Sequence, residues 1–277
     1  MPARRYRRAL EQHYRAFNRR RFVRPDPLQF LYDYEDPADR ELVGLVASCL
    51  AYGRVRQILR SVATVLERLG PRPARFLRDA PPSRLARTCA GFQHRFTTAE
   101  ELAALLAGAR RVRRRCGSLQ ACLLRHLRPG DETVQGALTA FVGELGGRRG
   151  PSSLLPDPAK RSACKRLHLF LRWMVRRDDV DPGPWRDVPA SRLIVPLDTH
   201  MHAIARSLGL TRRKAADLRT ALEVTRAFRG VCPEDPVRYD FALTRLGIHP
   251  DARPCEFLLR MSRGHACGRH EVSVTSP

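Results

Sequence analysis

The chain has 277 residues, 43% hydrophobic and 29% charged, enough to bury one large core or two smaller ones. Its 51 Lys and Arg against 28 Asp and Glu give a formal charge of +23, which points to a polyanionic partner, nucleic acid or an anionic membrane surface. No run approaches 18 apolar residues, which excludes a membrane-crossing helix, and the arginine-rich start MPARRYRRAL lacks the apolar stretch of an export signal, so a cytoplasmic protein is expected.

Residues 1–25 carry many arginines and few apolar positions, and read as an amphipathic basic helix or an arm. Asp36-Pro37-Ala38-Asp39 then supplies an N-cap, a proline at the first helical position and an acid in the first turn, ahead of Leu42, Leu45, Val46, Cys49 and Leu50. Tyr52-Gly53-Arg54 interrupts this helix. Ile58, Val62, Val65, Leu66 and Leu69 resume the helical spacing until Gly70-Pro71 stops it. Thr98 to Glu101 forms a capping box for a helix that ends in the basic cluster 110–115. Shorter helices are expected near 118–128 and 132–145, with Gly146-Gly147-Arg148-Arg149-Gly150 as the connection between two lobes. Leu167, Phe170, Leu171 and Met174 mark the core face of a helix of about 17 residues. Asp198 is expected to cap a helix that stops at Gly209, Thr211 the next one to Phe228, and Asp235-Pro236 to open a last one ending at Gly247. The tail 251–277 carries no assignment. No segment alternates with period two and no internal repeat is present, which predicts an all-α fold.

Only Lys160, Lys165 and Lys214 are lysines, leaving 48 arginines. A biased genome accounts for that excess as a whole. A lysine that persists in so arginine-rich a chain nevertheless points to a place where Arg is not an adequate substitute, because only Lys can lose its proton and act as an amine nucleophile. Arg161, Lys165, His168, Arg172 and Arg176 are spaced 4, 3, 4 and 4 residues apart and share one stripe opposite the apolar face. The stripe reads either as a solvated surface or as a track for a nucleic-acid backbone. Asp198, taken alone, is a helix cap; with Thr199, His200 and His202 it forms a polar cluster at a helix start, where an ionised carboxylate is favoured. Eight scattered cysteines with no CxxC pair argue against a disulfide framework. His200 and His202, two residues apart, point to different faces of a helix, and neither they nor His265, Cys267 and His270 are read as a metal site. No metal and no cofactor is expected.

The stretch Val195-Pro196-Leu197-Asp198-Thr199-His200 through Arg206-Ser207-Leu208-Gly209 resembles the segment of helix-hairpin-helix DNA glycosylases that carries their essential aspartate. Leu155-Pro156-Asp157-Pro158-Ala159-Lys160-Arg161-Ser162-Ala163 is similar to their hairpin, usually Leu-Pro-Gly-x-Gly-x-Lys-Thr-Ala. Asp157, Pro158 and Ala159 stand where the glycines would be. Pro158 lacks an N–H and Asp157 repels phosphate, which weakens phosphate binding by this hairpin. Leu42 to Leu59 resembles the early buried helix and polar turn that such enzymes push toward a lesion. DRELVGLVASCLAYGRV together with KRLHLFLRWMVRRDDVDPG is similar to a bacterial family described only as a domain of unknown function, distantly related to those glycosylases; the resemblance covers residues 28–250. No four-cysteine iron–sulfur motif follows. The lysine of bifunctional members falls at Arg161. An archaeal branch specialised for 8-oxoguanine places its lysine further along the helix, and Lys165, 33 residues before Asp198, resembles that arrangement.

The resemblance implies a two-lobed helical bundle spanning 26–250, with DNA, or RNA as the other polyanion, crossing a basic cleft of a monomer that has no membrane partner. It implies cleavage of the N-glycosidic bond to a base flipped from the duplex. Lys165 would attack the anomeric carbon and form a Schiff base, with Arg161 and Arg166 favouring its neutral amine. Asp198 would help deprotonate it and stabilise positive charge on the sugar. Arg54, Lys160, Arg161, Ser162, His168, Arg172 and Arg176 would contact the DNA. The alternative is a non-catalytic nucleic-acid-binding protein on the same scaffold.

Overall fold

In the computed structural model, which describes residues 6–246, a first group of elements gathers around α2 (Pro37–Cys49). Pro37 takes its first position and the Asp36 carboxylate accepts the Ala38 N–H at 2.8 Å, so the sequence signal for this helix start is met by a real cap. Leu42, Val43, Leu45, Val46 and Ala47 are all fully enclosed, the pattern of a helix covered on every side. Against it lie α9 (Lys165–Val175), a 3-10 segment over Pro27–Asp33, α3 (Val55–Leu69) and α4 (Pro73–Asp79).

A second group forms on α6 (Ala99–Cys116), which contacts α5 (Pro82–Cys89), α7 (Leu119–Leu124) and α8 (Gln135–Gly146). Thr98 and Glu101 satisfy each other's backbone N–H, as the capping box predicts. Gly108 sets the α6–α8 crossing: a Cβ there would meet the Leu145 carbonyl oxygen at 2.0 Å. Buried Glu41 of α2 ties the groups together by accepting from Arg113 of α6 (2.7 Å), the Gln120 N–H of α7 (2.9 Å) and the Trp185 indole N–H (2.9 Å).

The third group joins the two ends of the described chain. α1 (Arg7–Phe17) and α10 (Thr199–Ser207) both pack on α12 (Asp240–Arg245). The His13 ring bonds the Ala242 carbonyl at 2.8 Å, and Glu11 accepts from the Tyr239 hydroxyl at 2.6 Å. Arg7–Phe17 is therefore a helix of the fold rather than a free arm. Among the described residues there is no strand, only isolated bridges, and one apolar core runs from Tyr6 to Leu246, so the architecture is all-α. No described helix is long and apolar enough to cross a membrane.

Several boundaries differ from the sequence reading. The helix after residue 160 has 11 residues rather than about 17, because nothing helical forms until Lys165. Thr211 does not cap a helix; its hydroxyl bonds Glu223, and α11 (Leu218–Arg229) begins seven residues later under Asp217, which accepts the Thr220 N–H at 2.9 Å. α12 opens at Asp240 and not at Pro236. α4 and α5 are short helices that the periodicity did not separate from loop, each with proline in its first turn. The expected end at Gly247 and the tail 251–277 lie outside the described residues.

Candidate active site

Lys165 opens α9 and Asp198 precedes α10, so each stands at a helix N-terminus. Cys164, immediately before Lys165, adopts φ 43° and ψ 39°, a left-handed conformation that costs an L residue roughly 1–2 kcal/mol. The chain thus turns sharply into α9 at the lysine. On the other side, Leu193, Ile194, Val195 and Leu197 are buried and the Val195 N–H is held by Thr225 at 3.0 Å, which delivers Asp198 on a fixed segment.

The two carboxylate oxygens of Asp198 do separate jobs. Oδ1 accepts the Met201 N–H at 2.8 Å and caps α10, while Oδ2 lies 3.1 Å from the Lys165 ammonium. The side chains are 35% (Lys165) and 21% (Asp198) exposed, so the pair is held and still open to solvent. Two residues that share no local motif are brought together by the tertiary fold.

Beneath the pair runs a buried ionic ladder. Arg172 bonds Asp181 and Asp240; Arg176 bonds Asp178, Asp181 and Asp235. Asp240 feels the charges of both Asp198 and Lys165, which connects the ladder to the site above it. Burial works against the guanidiniums of Arg172 and Arg176, but the carboxylates around them outweigh it and keep both protonated. Burial likewise raises Asp178, yet Arg176 and the N–H groups of Asp181 and Val180 outweigh it and hold the carboxyl at about 2.

This geometry corrects the expected DNA track. His168, Arg172 and Arg176 are only 1%, 3% and 4% exposed, so they are not placed to touch a phosphate. The stripe is not one helical row, since Arg161 lies in the loop before α9 and Arg176 caps its end, and it descends from solvent at Arg161 into the core by His168. Two of the acids that pull the arginines inward, Asp178 and Asp181, stood just downstream in the sequence, whereas neighbouring Asp179 is exposed and pairs with Arg19; Asp235 and Asp240 gave no local signal. The His168 ring is fully buried with neither nitrogen bonded, and desolvation pushes it down to about 4, so it is neutral.

The other expected contacts remain on the surface. Arg54, Lys160, Arg161 and Ser162 are exposed. The 155–163 segment is an irregular loop rather than a tight hairpin between two helices. Asp157 turns its carboxylate onto the Ala159 N–H at 2.9 Å, and the Pro158 carbonyl accepts from Gln135. The Arg161 carbonyl accepts the Leu218 N–H at 3.0 Å, so this loop is pinned to the start of α11. Arg166 donates to the carbonyls of Cys49 and Ser153 and sits 4.8 Å over the Tyr52 ring.

Among the described residues no group of three or more His, Cys, Asp or Glu is placed to hold a metal. His202 bonds the Arg213 carbonyl, and the six described cysteines are free thiols. His265, Cys267 and His270 lie outside the described residues. A cleft of about 940 Å³, lined by Asp33, Arg72, Arg75, Arg78, Arg110 and Arg114 among others, lies at the N-terminal end of α2, whereas α9 enters beside its C-terminal end.

A family model described as "Protein of unknown function (DUF2400)" matches residues 26–249. No curated protein and no solved structure matches the chain.

Proposed function

The chain belongs to the DUF2400 family, and we propose that it is a DNA-binding enzyme of the base-excision type, a DNA glycosylase with AP lyase activity on a two-lobed helix-hairpin-helix scaffold. The observation that carries this reading is the 3.1 Å pairing of Lys165 with Asp198, two helix-terminal residues 33 positions apart in a chain with only three lysines. Asp198 accepts the lysine proton, and the freed amine attacks the sugar anomeric carbon. The glycosidic bond breaks and its electron pair leaves with the base, which takes up the proton that Asp198 had accepted and returns Asp198 to a carboxylate. The carboxylate stabilises the positive charge that develops on the sugar. Ring opening then gives an imine on Lys165, and elimination of the 3′ phosphate cuts the strand.

Borohydride reduces such an imine to a stable amine, so trapping on a panel of lesion-containing duplexes tests the reading. Wild type and Lys160→Arg are expected to cross-link, because Lys160 is an exposed charge in the loop. Lys165→Arg is expected to bind and not cross-link, since Arg keeps the charge and cannot form the imine. Trapping that survives in Lys165→Arg and disappears in Lys160→Arg would assign the nucleophile to the loop. Binding without trapping or base release on any duplex favours the non-catalytic reading, which the self-satisfied Asp157 and the engaged Pro158 of the degenerate hairpin also support.

A further inference from the structure

The cleft of about 940 Å³ at the N-terminal end of α2 is lined by charges of both signs that come from separate elements. Its arginines belong to α6 and to the start of α4, whereas Asp33 and Glu35 belong to the link between the 3-10 segment and α2. Among the described residues no carboxylate that lines the cleft is ion-paired with an arginine that lines it. The nearby acid that does take a cleft arginine, Glu41, is buried behind it and holds Arg113 at 2.7 Å.

The arginines of α6 divide by partner. Arg111 donates to the carbonyls of Glu144 and Leu145, and Arg115 to the Glu144 carboxylate. Arg110 and Arg114 line the cleft instead and make neither a hydrogen bond nor an ion pair from the side chain among the described residues; across from them, Arg72 makes none either. Arg110 is half-buried, and its Nε is enclosed without an acceptor. An enclosed guanidinium N–H with no acceptor is costly, and like charges one helical turn apart repel. An anion seated between Arg110, Arg114 and Arg72 relieves both costs.

Guanidinium forks on two helices suit phosphate oxygens. A cleft of this volume takes a drug-sized molecule rather than a lone ion. A nucleic-acid backbone, anionic along its whole length, would be repelled by Asp33 and Glu35, exposed carboxylates that accept no hydrogen bond among the described residues. A molecule with phosphates at one end and hydroxyl donors at the other satisfies both sets of side chains, and half-buried Tyr34, between the two acids, adds a ring for a base to pack on. We propose that this cleft binds a nucleoside di- or triphosphate, with its phosphates on Arg72, Arg110 and Arg114 and its ribose hydroxyls on Asp33 and Glu35. The 13 residues of α2 span about 20 Å and separate this cleft from the end of the helix at which Arg166, beside Lys165, bonds the Cys49 carbonyl. The nucleotide site is therefore independent of the DNA-enzyme reading of Lys165 and Asp198.

The test is calorimetric titration of the full chain, at fixed ionic strength, with ATP, AMP and inorganic tripolyphosphate. ATP is expected to bind more tightly than either of the others. Arg110→Gln and Arg114→Gln are each expected to weaken ATP binding about 10- to 100-fold, the loss of a charge-assisted bond. Their melting temperatures without ligand are expected to stay at or above that of wild type, since neither side chain has a partner to lose. Asp33→Asn combined with Glu35→Gln is expected to weaken ATP and to strengthen tripolyphosphate, because the acids no longer repel phosphate. ATP affinity that survives Arg110→Gln and Arg114→Gln together would overturn the proposal and assign nucleotide binding to the general charge of +23. Tripolyphosphate that binds as tightly as ATP would overturn the nucleoside part, and equal losses of duplex and ATP affinity in the arginine variants would overturn it in favour of a DNA path. Borohydride trapping reads the other site: a wild type that traps and does not bind ATP removes the nucleotide site alone, and one that binds ATP without trapping removes the enzyme reading alone.

Discussion

Asp198→Asn separates the two jobs of Asp198 in a single substitution. Asn caps a helix about as well as Asp, so the bond to the Met201 N–H survives. What disappears is the charge facing Lys165. At 3.1 Å and an effective dielectric near 20 the bare attraction is about 5 kcal/mol, but both side chains keep solvent contact, 35% and 21%, and such pairs contribute about 1 kcal/mol net. The variant should therefore lose at most about 1 kcal/mol, a few degrees in Tm. Asp198→Ala removes the cap as well and should lose about 1 kcal/mol more. The rate of imine trapping should fall far more, by about 100-fold or greater, because proton acceptance and charge stabilisation both need the carboxylate. Thermal melts and single-turnover trapping on the same preparations measure the two effects. A variant that melts like the parent and traps at the parental rate would falsify the catalytic role and leave Asp198 a cap. A loss of several kcal/mol would make it part of the ionic ladder instead.

His168→Leu should remove an acid sensitivity. The folded ring titrates near 4 against 6.5 when exposed, so the unfolded chain binds the extra proton between those values and stability rises with pH across that window. The full swing is about 3 kcal/mol, and urea midpoints measured from pH 4 to 7 should flatten in the variant; an unchanged slope would mean that the ring is not buried and neutral. Arg172→Gln and Arg176→Gln should act on folding rather than on DNA affinity, each costing about 3–5 kcal/mol by stranding buried carboxylates. A folded double variant with an unaltered denaturant midpoint and a flatter salt slope would return these arginines to the DNA track.

Much of the helical order was legible because its signals are local. Asp36-Pro37, the Thr98–Glu101 box, Gly70 and the Asp198 cap each specify a boundary within four residues, and each is made in the structure. Thr211 failed because a hydroxyl that can cap can equally bond a distant acid, here Glu223. Periodicity fixed the stripe on α9 but not its depth. A guanidinium on a helix is silent about whether phosphates or buried carboxylates will neutralise it, and the answer came from Asp235 and Asp240, about 60 residues away.

The depth of the stripe explains why a surface ion pair and a buried ladder belong on the same helix. Lys165 needs a carboxylate close by and a fixed direction, yet partly exposed side chains are ordinarily mobile. α9 solves this by continuing inward: two and three turns below the lysine, Arg172 and Arg176 are locked by four aspartates from the loop after α9, from residue 235 and from α12. α12 also packs on α10, the helix that Asp198 caps. The same aspartate–arginine bonds that register α9 against α12 therefore register Lys165 against Asp198. The expense of burying four charged groups and half-burying two more is reasonable at this place, because replacing them with apolar side chains could match their stability while losing the directional bonds that hold the two helices in one alignment.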